Sequence, residues 1–150
     1  DSVAVAEPLP ERRALAARLG ADRTVPPDDA AALEADVAIE CAGTPSAVQT
    51  ALRALRPGGR AVLLGIVTEP APIAPMDLVR GEKSLIGSLS HVWDEDFLVA
   101  LRLLGRGAVQ AAPLITDRIP LEAAVSGGLA LLRDEPDKHL KILVRPGDAG

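Results

Sequence analysis

Aromatic residues are almost missing from this chain. Trp93 and Phe97 are the only two, and tyrosine is absent. There is a single cysteine, Cys41, so no intrachain disulfide can form and a four-cysteine zinc site is ruled out. The two histidines, His91 and His139, stand far apart, and neither H-E-x-x-H nor C-x-x-C spacing occurs, so no complete metal site is expected here. Purely apolar runs are only a few residues long, which leaves no stretch suited to crossing a membrane, and no secretory leader is visible. Positive charge is also in deficit: 16 Lys and Arg face 21 Asp and Glu, a net charge of −5. That balance disfavours a nucleic-acid binder. A soluble, cytoplasmic protein is the expectation. Gly-x-Ser-x-Gly and the Walker phosphate loop are absent too.

What is present is the material of one globular domain. The 150 residues are 48% hydrophobic and 25% charged, ordinary values for a chain that buries a core. Short β-favouring runs alternate with helical periodicity. Residues 2–6 read as a strand, and Pro10 opens a helix that Gly20 closes. Residues 24–25 form a weak strand and residues 28–34 a short helix. Residues 37–41 form a clearer strand, on which Cys41 is expected as a small core residue. Residues 45–55 form a helix with Val48, Ala51, Leu52 and Leu55 on one face. After a turn at residues 56–59, residues 60–66 read as the strongest strand, buried on both faces. A short helix at 75–80 and a strand at 84–90 follow. Residues 94–104 form an amphipathic helix with Phe97, Leu98, Leu101 and Leu104 facing inward. A helix over 120–133 and a strand over 140–144 end the chain. This rhythm predicts an α/β fold with a parallel sheet.

Two features point to ligand chemistry. Gly43, Gly65 and Gly87 each fall at or within a strand or at its end, and ligands of open α/β sheets bind at the carboxyl ends of strands. Glycine there allows close approach to the backbone. Glu7 follows the first strand, where a dinucleotide-binding fold places the acid that holds the adenosine ribose; a solvated loop glutamate would read the same way. The fingerprint G-x-G-x-x-G itself is absent. Gly105 and Gly107 have the first spacing, but Gln110 replaces the third glycine, and the pair follows a helix.

The segments VAEPLPERR (5–13), ARLGAD (17–22), ADVAIECAG (35–43), LRPGGRAVLLG (55–65), EKSLIGS (82–88) and KHLKILV (138–144), in that order, resemble the coenzyme-domain half of the zinc-dependent medium-chain alcohol dehydrogenases. The segment LITDRIPL (114–121) is similar to the polyol, butanediol and threonine dehydrogenase branch. The resemblance covers nearly the whole chain. It implies an incomplete doubly wound (Rossmann-type) parallel sheet lacking its first strand over residues 1–104. Residues 105–150 would return to an absent catalytic domain. It also implies NAD as cofactor, with Glu7 on the adenosine ribose and Arg12 beside it. Cys41, Ala42 and Gly43, followed by Thr44, would line the adenosine side. Gly65, Ile66 and Val67 would form the loop under the nicotinamide, and Ser88, Leu89 and Ser90 the segment that holds its carboxamide. Lys141 would face the pyrophosphate.

Further implications are an alcohol or polyol substrate, and a homo-oligomer formed through residues 84–91. The zinc ligands and the glycine fingerprint of the family are not found, so no catalytic residue is assigned, and a fragment of a longer enzyme is expected. In the doubly wound order 3-2-1-4-5-6, loss of strand one would part strands two and three from the rest and leave apolar edges unpaired. The isolated chain is then expected to fold poorly and bind NAD weakly or not at all. Three alternatives stay open: a class I methyltransferase, which also carries an acid after its second strand and a Pro-Gly-Gly turn, a non-catalytic coenzyme-binding or dimerisation module, and a zinc-free quinone reductase, against which Glu7 argues.

Overall fold

Parallel strands joined by helical crossovers build the chain, and they do so in three separate sets. The computed structural model describes residues 1–147. It divides into two compact units, residues 1–90 and the remainder from His91 onward.

In the first unit, β1 (Ala4–Ala6) pairs in parallel with β2 (Arg23–Val25). Between them runs α1 (Pro10–Arg18), which opens on a proline and carries Glu11 in its first turn and Arg18 in its last. Both charges complement the helix dipole. Gly20, at φ +105°, turns the chain back toward β2. A 3₁₀ stretch (Pro27–Leu33) leads to β3 (Ala35–Glu40), then α2 (Pro45–Ala54), β4 (Leu55–Leu63), α3 (Pro75–Gly81) and β5 (Ser84–Gly87). These last three strands form one parallel sheet in the order β3-β4-β5, separate from β1-β2. The interruption falls where the doubly wound order calls for a central strand, as expected from the sequence.

The register explains the core. Ala38, Ala61 and Leu85 form one cross-strand row. Ala51 of α2 packs against it, as does Leu55, which was expected on the helix but is the first residue of β4, and Leu52 lies at the margin. Small side chains in the row let the helix approach closely. Thr44 caps α2, its hydroxyl accepting from the Ala47 N–H at 3.2 Å, and Pro45 takes the first helical position. The next row, Ile39, Val62 and Ile86, points to the opposite face, where Ile39 is 63% exposed. The strand β4 is thus buried on one face, not on both, because α2 covers only that side. It also begins earlier than expected, at Leu55, and ends at Leu63. The segment 64–67 lies beyond the strand. Likewise β5 stops at Gly87, leaving residues 88–90 as loop.

In the second unit a π-type turn (Trp93–Phe97) runs into α4 (Leu98–Gly105). The rings of Trp93 and Phe97 stack with centroids 4.3 Å apart. Leu98, Leu101 and Leu104 were expected to face inward but are all exposed. β6 (Asp117–Pro120) ends on the first residue of the predicted 120–133 helix. It is followed by a 3₁₀ turn, a π-type turn and the short α5 (Ala130–Asp134). Pro120, fixed in an extended conformation, closes the strand rather than opening a helix. β7 (Ile142–Arg145) pairs in parallel with β6. No helix among the described residues is long and apolar enough to cross a membrane.

Candidate coenzyme site at the carboxyl ends of the strands

Three adjacent parallel strands end side by side. Glu40 of β3 pairs with Leu63 of β4, and Leu63 with Gly87 of β5. The loops that leave them, 41–44, 64–67 and 88–90, are therefore neighbours. They hold ten of the thirteen residues singled out from the sequence. The Ser88 N–H donates to the Leu63 carbonyl at 2.9 Å, carrying the ladder one step past β5. The first two loops pack backbone on backbone. Gly43, at φ +70°, sits where a Cβ would lie 2.9 Å from the Ile66 carbonyl oxygen. A Cβ on Gly65 would meet the Gly43 backbone and stand 2.5 Å from Glu40 Oε2. Any larger residue at either position would push the loops apart.

The outward faces differ in character. Ile66 is 76% exposed and Leu89 84% exposed, so two aliphatic side chains stand free at the strand ends. Cys41 is exposed, not a core residue, because β3 ends at Glu40 and the chain has already left the sheet. Partial desolvation by its surroundings, and then the Glu40 charge, push the Cys41 thiol above its usual range. It is therefore a poor nucleophile at neutral pH. Thr44 spends its hydroxyl on capping α2.

Glu7 lies at the end of β1, in the two-stranded set. Its N–H donates to the Val25 carbonyl at 3.0 Å, and its Oε1 accepts from the Leu9 N–H at 2.9 Å. One carboxylate oxygen is thus used to shape the start of α1. Arg12 is half-buried in the first turn of α1. Its neighbour Arg13 wraps the same corner: its guanidinium donates to the Glu7 and Pro8 carbonyls at 2.6 and 2.8 Å. Sequence reasoning passed over Arg13, since nothing in the spacing separates the two arginines. Lys141 is exposed in the second unit, where its carbonyl accepts from the Thr116 N–H at 2.9 Å.

Glu40 was also missed. It is 3% exposed, the one charged side chain buried among the described residues. A lone glutamate in an apolar strand was a visible signal, because carboxylates are seldom fully buried. Among the described residues no group of three or more His, Cys, Asp or Glu side chains could hold a metal.

The family model described as zinc-binding dehydrogenase matches residues 2–106. The chain belongs to the zinc-binding dehydrogenase family. It is 32% identical to a (R,R)-butanediol dehydrogenase of Bacillus subtilis over 146 residues, covering 91% of this chain and 41% of that protein. Among solved structures it is similar to 2R,3R-butanediol dehydrogenase from Bacillus subtilis, with a TM-score of 0.84 at 29% identity, over 97% of this chain and 44% of that one. It is also similar to a putative zinc-binding dehydrogenase from Sinorhizobium meliloti 1021 bound to NADP, with a TM-score of 0.82 at 28% identity, over 97% and 45% of the two chains. The chain spans less than half the length of these relatives. The dehydrogenase reading of the motifs is thereby supported over the methyltransferase alternative.

Proposed function

We propose that this chain is the coenzyme-binding part of an NAD-dependent, zinc-type alcohol or polyol dehydrogenase. The observation that carries the reading is the convergence of loops 41–44, 64–67 and 88–90 at the carboxyl ends of β3, β4 and β5. That is the ligand position of a doubly wound sheet. The residues present suit a dinucleotide. An exposed aliphatic side chain, Ile66, offers a flat ring an apolar face, and the exposed backbone of residues 88–90 offers a carboxamide its hydrogen bonds. Glu7 at the end of β1 suits ribose hydroxyls, and its charge opposes a 2′-phosphate. This favours NAD over the NADP held by the Sinorhizobium meliloti relative. Arg12 and Lys141 would serve the ribose and the pyrophosphate.

NAD when bound supplies the acceptor for hydride from a secondary alcohol. This chain's residues bind and orient it. Zinc would be ligated elsewhere in the protein, so no step here runs through a metal. The outer edge of β5, unpaired within its sheet, supports a homo-oligomer formed through residues 84–91.

The test starts from the coding DNA around the chain, which is read and expressed as the full open reading frame. Fluorescence titration is expected to show NADH binding well ahead of NADPH, and Glu7→Ala is expected to shrink that preference about tenfold, the scale of one charged hydrogen bond. Oxidation of butanediol, sorbitol and threonine is then compared in one assay. NADPH binding as tightly as NADH would overturn the role of Glu7, and binding of neither would overturn the reading itself.

A further inference from the structure

A buried carboxylate is strongly disfavoured unless its oxygens are well bonded, and Glu40 meets that condition on one side only. Oε1 accepts two hydrogen bonds, from the Ala42 N–H at 2.7 Å and the Gly43 N–H at 2.8 Å. Oε2 is buried without a hydrogen-bond partner. The Cα hydrogen of Gly65 that takes the place of a Cβ points at this oxygen, since a Cβ there would stand 2.5 Å away. Such a Cα–H···O contact is weak. The main chain of Glu40 binds the other loop as well, because its carbonyl accepts from both the Leu64 and the Gly65 N–H, each at 2.9 Å. One residue therefore ties the loop after β3 to the loop after β4, through its carboxylate on one side and its carbonyl on the other.

We propose that Glu40 is a positioning residue for the coenzyme. Its buried carboxylate locks loop 41–44 against loop 64–67 in the geometry that receives the dinucleotide, without touching the ligand. The inference rests on the coenzyme reading above. The charge has a specific use. Two N–H groups converge on one oxygen, and a carboxylate holds such a pair through shorter, stronger bonds than a neutral amide. A glutamine turned to keep those bonds would aim its NH₂ at the Gly65 Cα–H, so that positive meets positive where the carboxylate placed a negative oxygen. Either loop is then freer to move away from the other.

The experiment compares wild type, Glu40→Gln and Leu52→Ala in the full-length protein. Leu52→Ala loosens the packing of α2 on the sheet and touches neither loop. Two readouts are taken: NADH affinity by fluorescence, and hydrogen–deuterium exchange of peptides covering residues 40–45 and 63–67. The expected result is about tenfold weaker NADH binding for Glu40→Gln, the scale of one charged bond reduced to a neutral one. Faster exchange confined to the two loops accompanies it, and Leu52→Ala binds NADH as wild type does. Faster exchange with unchanged affinity would overturn the positioning role and leave the coenzyme reading standing. Equal loss of affinity in Leu52→Ala would reduce Glu40 to a general stabiliser and also overturn it. A wild type that binds no NADH would overturn the coenzyme reading, and the positioning role with it. Unchanged exchange in Glu40→Gln would show that the lock itself is wrong.

Discussion

Gly65→Ala probes the tightest point of the molecule. The new Cβ would stand 2.5 Å from Glu40 Oε2, against 3.4 Å for an ordinary contact, so the carboxylate must retreat by about 0.9 Å. It cannot do so freely, because its other oxygen is held at 2.7 and 2.8 Å by the Ala42 and Gly43 amides. The Gly43 backbone lies against the same Cβ and is itself hydrogen-bonded. Overpacking of this kind costs about 1–3 kcal/mol. Breaking the bonds of a buried carboxylate costs about 1–3 kcal/mol more. Each distortion partly relieves the other, so a loss of about 3 kcal/mol is expected. The assay is urea unfolding of the full-length protein followed by far-UV circular dichroism, with Gly87→Ala as the matched control. A Cβ on Gly87 meets nothing within 4 Å, and its effect should stay within about 0.5 kcal/mol. If Gly65→Ala unfolds at the wild-type urea concentration, or Gly87→Ala is equally harmful, the close approach described at the strand ends is wrong.

Two further outcomes follow from hydrogen bonds elsewhere. Thr44→Ala removes the cap of α2 and should cost about 1 kcal/mol in the same urea assay, with Thr44→Ser restoring most of it. In the second unit, Asp117 Oδ2 lies 2.7 Å from His139 Nδ1. That hydrogen bond, with a further one from Thr116, holds the Asp117 carboxyl below its usual range. A depressed carboxyl stabilises the fold above its unfolded value, near pH 4, and loses that stabilisation as pH falls through the folded value. Thermal melts from pH 6 down to pH 2 should therefore show a steeper loss for wild type than for Asp117→Asn, and parallel curves would refute the pairing.

The alternating elements were legible in the sequence because their signals are local. Pro10 and Gly20 bracket α1, Thr44-Pro45 opens α2, and Val48 and Ala51 lie on its buried face. Even the break between β1-β2 and β3-β4-β5 was anticipated, through the resemblance to a doubly wound coenzyme domain whose first strand is not found in the sequence. What failed was anything that depends on a neighbour. Leu98, Leu101 and Leu104 have the spacing of a buried stripe, yet spacing cannot say whether anything covers it. The strand β6 is four residues long and contains a proline, so its existence depends on β7, some two dozen residues later. In the candidate site, the glycines were visible as loop punctuation and Glu7 as an acid after a strand. Glu40 showed only as a lone glutamate in an apolar strand, because its link to Leu64 and Gly65 forms only after β3 and β4 have paired.

The parallel pairing bears on how this chain reaches its fold. Ala4 finds Arg23, Val37 finds Arg60, Arg60 finds Ser84 and Asp117 finds Ile142. Each partnership closes a loop far longer than a hairpin's, and none can form from adjacent residues. No strand pair among the described residues can therefore act as an early local seed. Helices such as α2 must form and dock before the ladders they bridge become stable, and loop-closure entropy is paid ahead of any ladder energy. Refolding should be slow for a chain of this size, and the strand edges stay open to other chains throughout that interval. Dilute, cool conditions, in which two open edges rarely meet, are the ones under which this protein should be brought back from denaturant.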